Sequence, residues 1–186
     1  MGSGYDNIYD PTEVDNDQIS GVALDATYAL NKKITIYSQY AKLIGEIDTS
    51  MTGVTYNNWI INNPSEEITL GWGFVPIGVR AILGPIKLMS EFRIASERFL
   101  FNYWDRAYDV NRVTVDSKII TRESRLYQYG KLKGIYAQAE MSVMNLANLG
   151  IGYQNMQGEK WDGDAAEYKS DESNQTFLTT IEINTS

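Results

Sequence analysis

From Ile86 to Glu97 the chain alternates without a break. Ile86, Leu88, Ser90, Phe92, Ile94 and Ser96 fall on one face of an extended strand, and Lys87, Met89, Glu91, Arg93, Ala95 and Glu97 on the other. A period of two is the mark of a β-strand, because successive side chains point to opposite sides of the pleat. Stripping the ionisable groups of the second face of water in a dry core costs too much for that face to be buried in one. One face must therefore meet apolar surroundings, and the other must meet water or a hydrated, charge-paired interior. Few folds accept such a strand.

The same pattern recurs along the chain. Val22, Leu24, Ala26, Tyr28 and Leu30 oppose Gly21, Ala23, Asp25, Thr27 and Ala29, and Ile34, Ile36, Ser38 and Tyr40 line the return strand. Ile68, Leu70, Trp72 and Phe74 share a face until the parity flips at Val75-Pro76. Val75, Ile77, Val79 and Ala81 then become the apolar set, with Arg80 opposite them. A one-residue shift of this kind is a β-bulge, and proline fits there because it has no ladder N–H to offer. Ile135 to Val143 alternates against Tyr136, Gln138 and Glu140; Leu149, Ile151 and Tyr153 follow, and Phe177, Thr179, Ile181 and Ile183 form a last strand. The segment from Arg112 to Thr121 alternates too, as a hairpin inside a longer connection.

The connections obey a rule of their own. Tight turns are expected at Asn31-Lys32, at Gly84-Pro85 and from Asn145 to Asn148, and long polar loops from Gly45 to Glu67, from Phe99 to Glu123 and from Gln157 to Gln175. Short and long therefore alternate, so the two ends of the sheet differ. Membrane β-barrels of the bacterial outer membrane have this asymmetry, with short periplasmic turns and long extracellular loops. The expected fold is all-β, an antiparallel up-and-down meander forming a transmembrane β-barrel of about seven to eight strands, alone or within a larger barrel. Residues 1–18 read as a polar N-terminal loop and residues 19–186 as the barrel segment.

Composition narrows the function. A net charge of −8 argues against a nucleic-acid partner, which needs clustered Lys and Arg. Cysteine and histidine are both absent, which removes thiol chemistry, the commonest general base and the commonest transition-metal ligands. The chain is therefore read as not an enzyme, with no cofactor and no metal. The acidic run Asp162, Asp164, Glu167, Asp171 and Glu172 lacks the calcium-loop pattern and is read as a solvated surface. No stretch is long and apolar enough for a transmembrane helix. The opening Met1 to Asp6 has neither the basic nor the apolar region of a signal peptide, so the expectation is a mature form or a fragment.

Gly71-Trp72-Gly73-Phe74, Gly84-Pro85-Ile86-Lys87-Leu88 and Glu91-Phe92-Arg93, followed by Tyr103-Trp104-Asp105-Arg106-Ala107-Tyr108-Asp109, resemble the strand–turn–strand units and loop-entry aromatics of porin-like bacterial outer-membrane β-barrel proteins. The resemblance spans about residues 19 to 183 and is one of pattern rather than of a diagnostic motif. It implies a location in the bacterial outer membrane, outer-membrane lipid as a partner, and passive passage or binding of small solutes. Such barrels usually end on a terminal aromatic and have an even strand number. Here the last residues are Asn184-Thr185-Ser186 and the strand count is about seven, so a partial barrel is expected.

On that reading Asp25, Arg80, Lys87, Glu91, Arg93, Glu97 and Glu140 line the lumen, either as a charge-selective path or as a paired filling that conducts nothing. Tyr28, Trp72, Phe74, Tyr103 and Trp104 are membrane-interface aromatics, polar-tipped or flat rings suited to the headgroup level. The alternatives are a soluble β-barrel that binds a hydrophobic ligand, or a structural or adhesive outer-membrane barrel. In the soluble case the Leu88 and Phe92 face would point inward and the Glu91 and Arg93 face outward. The oligomeric state is left open.

Overall fold

The computed structural model describes residues 19–47, 68–103, 113–116, 118–122, 126, 128–144, 146–162, 165 and 167–183. The polar segment 1–18, Trp104 and the middles of the first two long connections lie outside the described residues.

Seven strands make one antiparallel meander. They are β1 (Ser20–Ala29), β2 (Ile34–Ile44), β5 (Trp72–Leu83), β6 (Ile86–Ala95), β9 (Tyr129–Val143), β10 (Ala147–Asp162) and β11 (Glu167–Ile183), hydrogen-bonded in that order. Two short hairpins interrupt the sequence: β3 (Glu46–Ile47) with β4 (Ile68–Thr69), and β7 (Val113–Asp116) with β8 (Lys118–Thr121). The second is the hairpin read between Arg112 and Thr121. The sheet is not closed, and the outer edges of β1 and β11 have no strand partner among the described residues.

Register puts the alternating sets of neighbouring strands on common faces, since directly opposed residues share a side. Tyr37 faces Gly78, Gly78 faces Glu91, Glu91 faces Tyr136, and Tyr136 faces Gln154. On the other side Ala81, Leu88, Ala139, Ile151 and Thr179 form a single row across five strands. The sheet is thus sorted into a mainly polar face and a mainly apolar face. Side chains of the polar face crowd together: Tyr37, Val75, Glu91, Arg93 and Met156 are buried, whereas Ile77, Leu88, Phe92, Ile135 and Ile151 on the apolar face are exposed. The chain therefore covers its polar face and leaves its apolar face exposed.

The parity flip in β5 is a bulge, breaking register against β2 between Tyr37 and Gln39 and against β6 between Phe74 and Ile77; Val75 is a correction, since it stays on the polar face opposite Gln39 and the apolar set begins only at Ile77. Ser38, the one hydroxyl in the middle of the β2 apolar set, donates to the bulge carbonyl of Val75 at 3.0 Å. It satisfies an acceptor that the disrupted ladder leaves unpaired. The Gly84-Pro85 turn takes two residues, with Gly84 at φ +63°. That geometry suits a glycine-first hairpin turn.

The expected connections need three corrections. The first turn is longer than the two residues Asn31-Lys32: it runs from Leu30 to Lys33, held by the Asn31 carboxamide oxygen, which accepts from Lys33 N–H at 2.8 Å and Ile34 N–H at 3.0 Å. The third long loop does not exist as a loop, because β10 and β11 pair from Gln157 and Ser173 out to Asp162 and Glu167, with one irregularity at Gly158. Trp161 packs edge-on against Tyr168 at 5.1 Å, and Lys169 pairs with Asp162, so the acidic run is zipped into a projecting hairpin. Leu70 leaves the set of Trp72 and Phe74. The chain breaks between β4 and β5 at Leu70 and Gly71, and Leu70 turns into a buried cluster with Leu43, Ala95, Phe99, Tyr103 and Leu126.

Candidate functional site

The polar face is built in layers. At the end bearing the long connections lies the apolar cluster just named. It forms because the chain after β6 turns inward instead of continuing the strand: Arg98 and Asn102 adopt positive φ (59° and 60°), and Phe99 settles over Gly73. A Cβ at Gly73 would collide with the Phe99 ring, so the glycine provides the space the ring occupies.

At mid-height a network of charge and aromatic rings runs across β2, β5, β6 and β9. The Tyr37 hydroxyl donates to Oε1 of Glu91. Arg93 grips Oε2 of the same carboxylate with Nε and with a terminal nitrogen, both at 2.6 Å. Glu91 and Arg93 are 6% and 4% exposed, so the pair is desolvated and its hydrogen bonds must be complete. The Arg93 guanidinium also lies 3.7 Å from the centroid of the Tyr136 ring and 4.8 Å from that of Phe101, contributed by the inward-turning segment. Tyr136 donates to the Gln138 carbonyl and Gln138 donates to Glu140, each at 2.8 Å. Arg80 stacks on Tyr37 from the other side, 4.2 Å from the ring centroid.

The cross-strand partner of Tyr37 is Gly78, and a Cβ there would penetrate the tyrosine ring. The ring can lie flat on the sheet only over a residue without a side chain. Gly78→Ala is expected to destabilise the sheet by about 1–3 kcal/mol through overpacking. A double-mutant cycle with Tyr37→Ala in urea should show that cost disappearing when the ring is gone. Equal costs in both backgrounds would mean that Gly78 is needed for another reason.

The residues expected on this face separate into groups. Glu91, Arg93 and Arg80 belong to the network, and Glu140 to its end. Asp25 lies on the same face at the β1 edge and accepts from Gln39 at 2.6 Å. Lys87 is directly opposite Glu140 in register, towards the tight turns, and is exposed. Glu97 departs from the expected set. It lies past the end of β6, where its carboxylate meets Lys131 at 2.8 Å, away from the network. That contact and the charge of Glu159 raise the Lys131 pKa.

Tyr37, Tyr136 and Phe101 were not singled out in the sequence. The signal available for Tyr37 and Tyr136 was their parity, each on the face opposite the apolar set of its strand. Phe101 gave none, because it arrives through a turn.

The aromatic residues divide by face. Trp72 and Phe74 stand on the apolar face near the long-connection end, with Tyr40 stacked on Trp72 at 6.2 Å. Phe92 follows one register step nearer the tight turns, and Tyr153 with Phe177 a step beyond that. Tyr28 is 69% exposed and lies in the same register row as Tyr153 and Phe177, at the β1 edge. Tyr103 is a correction: it is 2% exposed inside the cluster on the polar face, carried there by the inward turn, and so cannot stand with Trp72 and Phe74. Trp104 lies outside the described residues.

Among the described residues no group of carboxylates is arranged to hold a metal ion. Comparison of the chain with protein-family models, curated proteins and solved structures found no match.

Proposed function

We propose that this chain forms part of the wall of a porin-like outer-membrane β-barrel, whose polar face lines a hydrated interior that passes or binds small polar solutes. The observation that carries the reading is the inversion of the sheet. Buried charge lies on one side, Glu91 with Arg93, while the opposite side exposes a continuous apolar surface that includes Leu24, Ile77, Phe92, Ile135, Ile151 and Ile181. In water that surface would be a large aggregation hazard. Against acyl chains it is the required surface, and a polar face with paired charges suits a hydrated interior.

Three further features support the membrane setting. The apolar band on β6 runs from Ile86 to Ile94, roughly 20–25 Å once strand tilt is allowed for, close to the height of a barrel's lipid-facing band. Tyr40, Trp72 and Phe74 lie at its long-connection end, as an interfacial aromatic girdle does. Lys42 and Lys133, on the same face, mark where the band stops. Leu88 and Phe92 are exposed while Glu91 and Arg93 are buried, the reverse of what a soluble barrel with an apolar cavity needs.

The interior reads as polar but well filled. Arg93 and Glu91 neutralise one another, and Phe101 and Tyr136 enclose the pair, so this layer narrows the path. Among the described strand residues of this face, Arg80 and Lys87 are cations left exposed to a solute.

The test is extraction. The full chain, expressed with a secretion signal, should fractionate with the outer membrane and stay monodisperse only in detergent. A protein monodisperse in plain buffer would sink the membrane reading.

A further inference from the structure

Between the Glu91–Arg93 layer and the tight turns, the polar face holds a basin of about 710 Å³. Lys87 of β6, Glu140 of β9 and Thr180 of β11 line it in one register row, with Gly150 of β10 as the floor between the last two. Asn148 and Glu182 lie one step nearer the turns, and Pro85 marks the rim. A Cβ at Gly150 would press on the Thr180 hydroxyl, so the floor is kept open by glycine.

Opposite charges stand side by side in this basin without pairing. Lys87 and Glu140 are directly opposed and exposed, a placement in which such residues ordinarily attract one another across strands. No ion pair joins them. Glu140 is held along its own strand instead. Its Oε1 accepts from Gln138 at 2.8 Å, and Gln138 accepts from Tyr136, whose ring stacks on Arg93. The buried network thus orients the carboxylate along the strand rather than across to the lysine. Among the described residues, the second oxygen of Glu140, the Lys87 ammonium and the Thr180 hydroxyl have no protein partner. Asn148 accepts from Ser142 through Oδ1 at 2.8 Å, which leaves its amide N–H groups as donors.

This arrangement discriminates between solutes. An anion drawn to Lys87 meets Glu140 and Glu182, and a cation drawn to the carboxylates meets Lys87, so each is opposed by a like charge. A neutral solute displaces water from both charged groups and gives neither a counter-charge. A zwitterion answers both. An α-amino acid carries its carboxylate and ammonium on one carbon, which suits two charges on neighbouring strands, about 4.8 Å apart at the backbone. Its side chain then extends over Gly150, where the Asn148 amide and the Thr180 hydroxyl offer hydrogen bonds to polar atoms. The volume lies in the range of about 300–1,000 Å³ usual for small-molecule sites.

We infer that the basin binds a polar α-amino acid, with its carboxylate on Lys87, its ammonium on the free oxygen of Glu140 and its side chain over Gly150. This rests on the porin-like reading above, which gives solutes access to this face, and it names the solute class.

The full chain in detergent micelles at about pH 6, where α-amino groups are charged, would be titrated by ligand-observed NMR with L-glutamine and two analogues of similar shape. N-acetyl-L-glutamine lacks the positive charge, and the α-amide of L-glutamine lacks the negative one. L-glutamine should bind about tenfold or more tighter than either, the factor that one charge-assisted hydrogen bond supplies. Lys87→Met should erase the advantage over the α-amide and keep that over the N-acetyl form, and Glu140→Gln should do the reverse. Both side chains are exposed, so neither change is expected to unfold the sheet, which heat-modifiable mobility on gels would check. Should a variant fail to fold, the analogue series on the unchanged chain decides alone.

Equal binding of the three compounds, tighter binding of either analogue, or no binding of L-glutamine would overturn the inference and leave the membrane reading intact. A chain monodisperse in plain buffer would instead remove the outer-membrane reading, whatever the three compounds do.

Discussion

Replacing Arg93 with methionine is expected to destabilise the sheet by about 3–5 kcal/mol, because it leaves the Glu91 carboxylate buried and stripped of its cation. The carboxylate is 6% exposed and, among the described residues, would keep only the Tyr37 hydroxyl as a donor. Part of the loss comes from Tyr136 and Phe101, which stack on the guanidinium. Glu91→Met should cost a comparable amount by stranding Arg93. The double variant Glu91→Met with Arg93→Met should be milder than either single one, since a buried ion pair exchanged for apolar groups of similar volume is often nearly neutral. Urea unfolding in micelles, followed by the heat-modifiable mobility of folded barrels on gels, would measure all three. Additive single costs would show that the two side chains do not act as a unit.

The second large effect is expected in lipid and not in water, which makes it the sharper test of the setting. Ile151 is 52% exposed on the apolar face, in the row with Leu88 and Ala139. In a soluble sheet, Ile151→Arg at such a position would be within about 0.5 kcal/mol of neutral. Near the middle of a bilayer it should cost about 2–4 kcal/mol, and Ile151→Glu somewhat less. The same arginine at Lys133, where the apolar band ends, should cost close to nothing in either setting. Folding into vesicles titrated with urea would read the difference, and equal tolerance at 151 and 133 would argue against a lipid-facing surface.

The strands themselves were largely legible in the sequence. Alternation from Ile86 to Glu97 fixed not only a strand but its two faces, and the register across β5, β6, β9 and β10 kept those faces together, because an error of one residue would flip every side chain. The bulge at Val75-Pro76 was readable for the same reason, as a break in parity. The charged members of the mid-height network, Arg80, Glu91 and Arg93, were likewise legible from parity alone. Their aromatic neighbours were harder. Tyr37 sits in the network because Gly78 faces it, and which residue faces which depends on register between strands about forty positions apart in sequence.

The errors share a cause. The stretch from Gln157 to Gln175 is polar on both faces where it leaves the apolar band, so hydrophobic periodicity carries no strand signal there. Only pairing with a partner strand, with Trp161 against Tyr168 and Asp162 against Lys169, makes it a hairpin. Tyr103 and Leu70 were misplaced because both lie where the chain changes direction, and a turn breaks the parity from which a face is inferred.

What the sequence determined by itself is local: where strands run, which side chains share a side, and that one side is apolar and the other charged, all of it set by the two-residue pleat. Tertiary structure alone decided which face the chain covers. Apolar and polar faces alternate identically in a soluble barrel and in a membrane one, and the burial of one of them is a collective property of seven paired strands, their bulge and the rings that lie over Gly73 and Gly78. Side chains crowd around Glu91 and Arg93 and the apolar face is left exposed, and on that burial the membrane proposal rests.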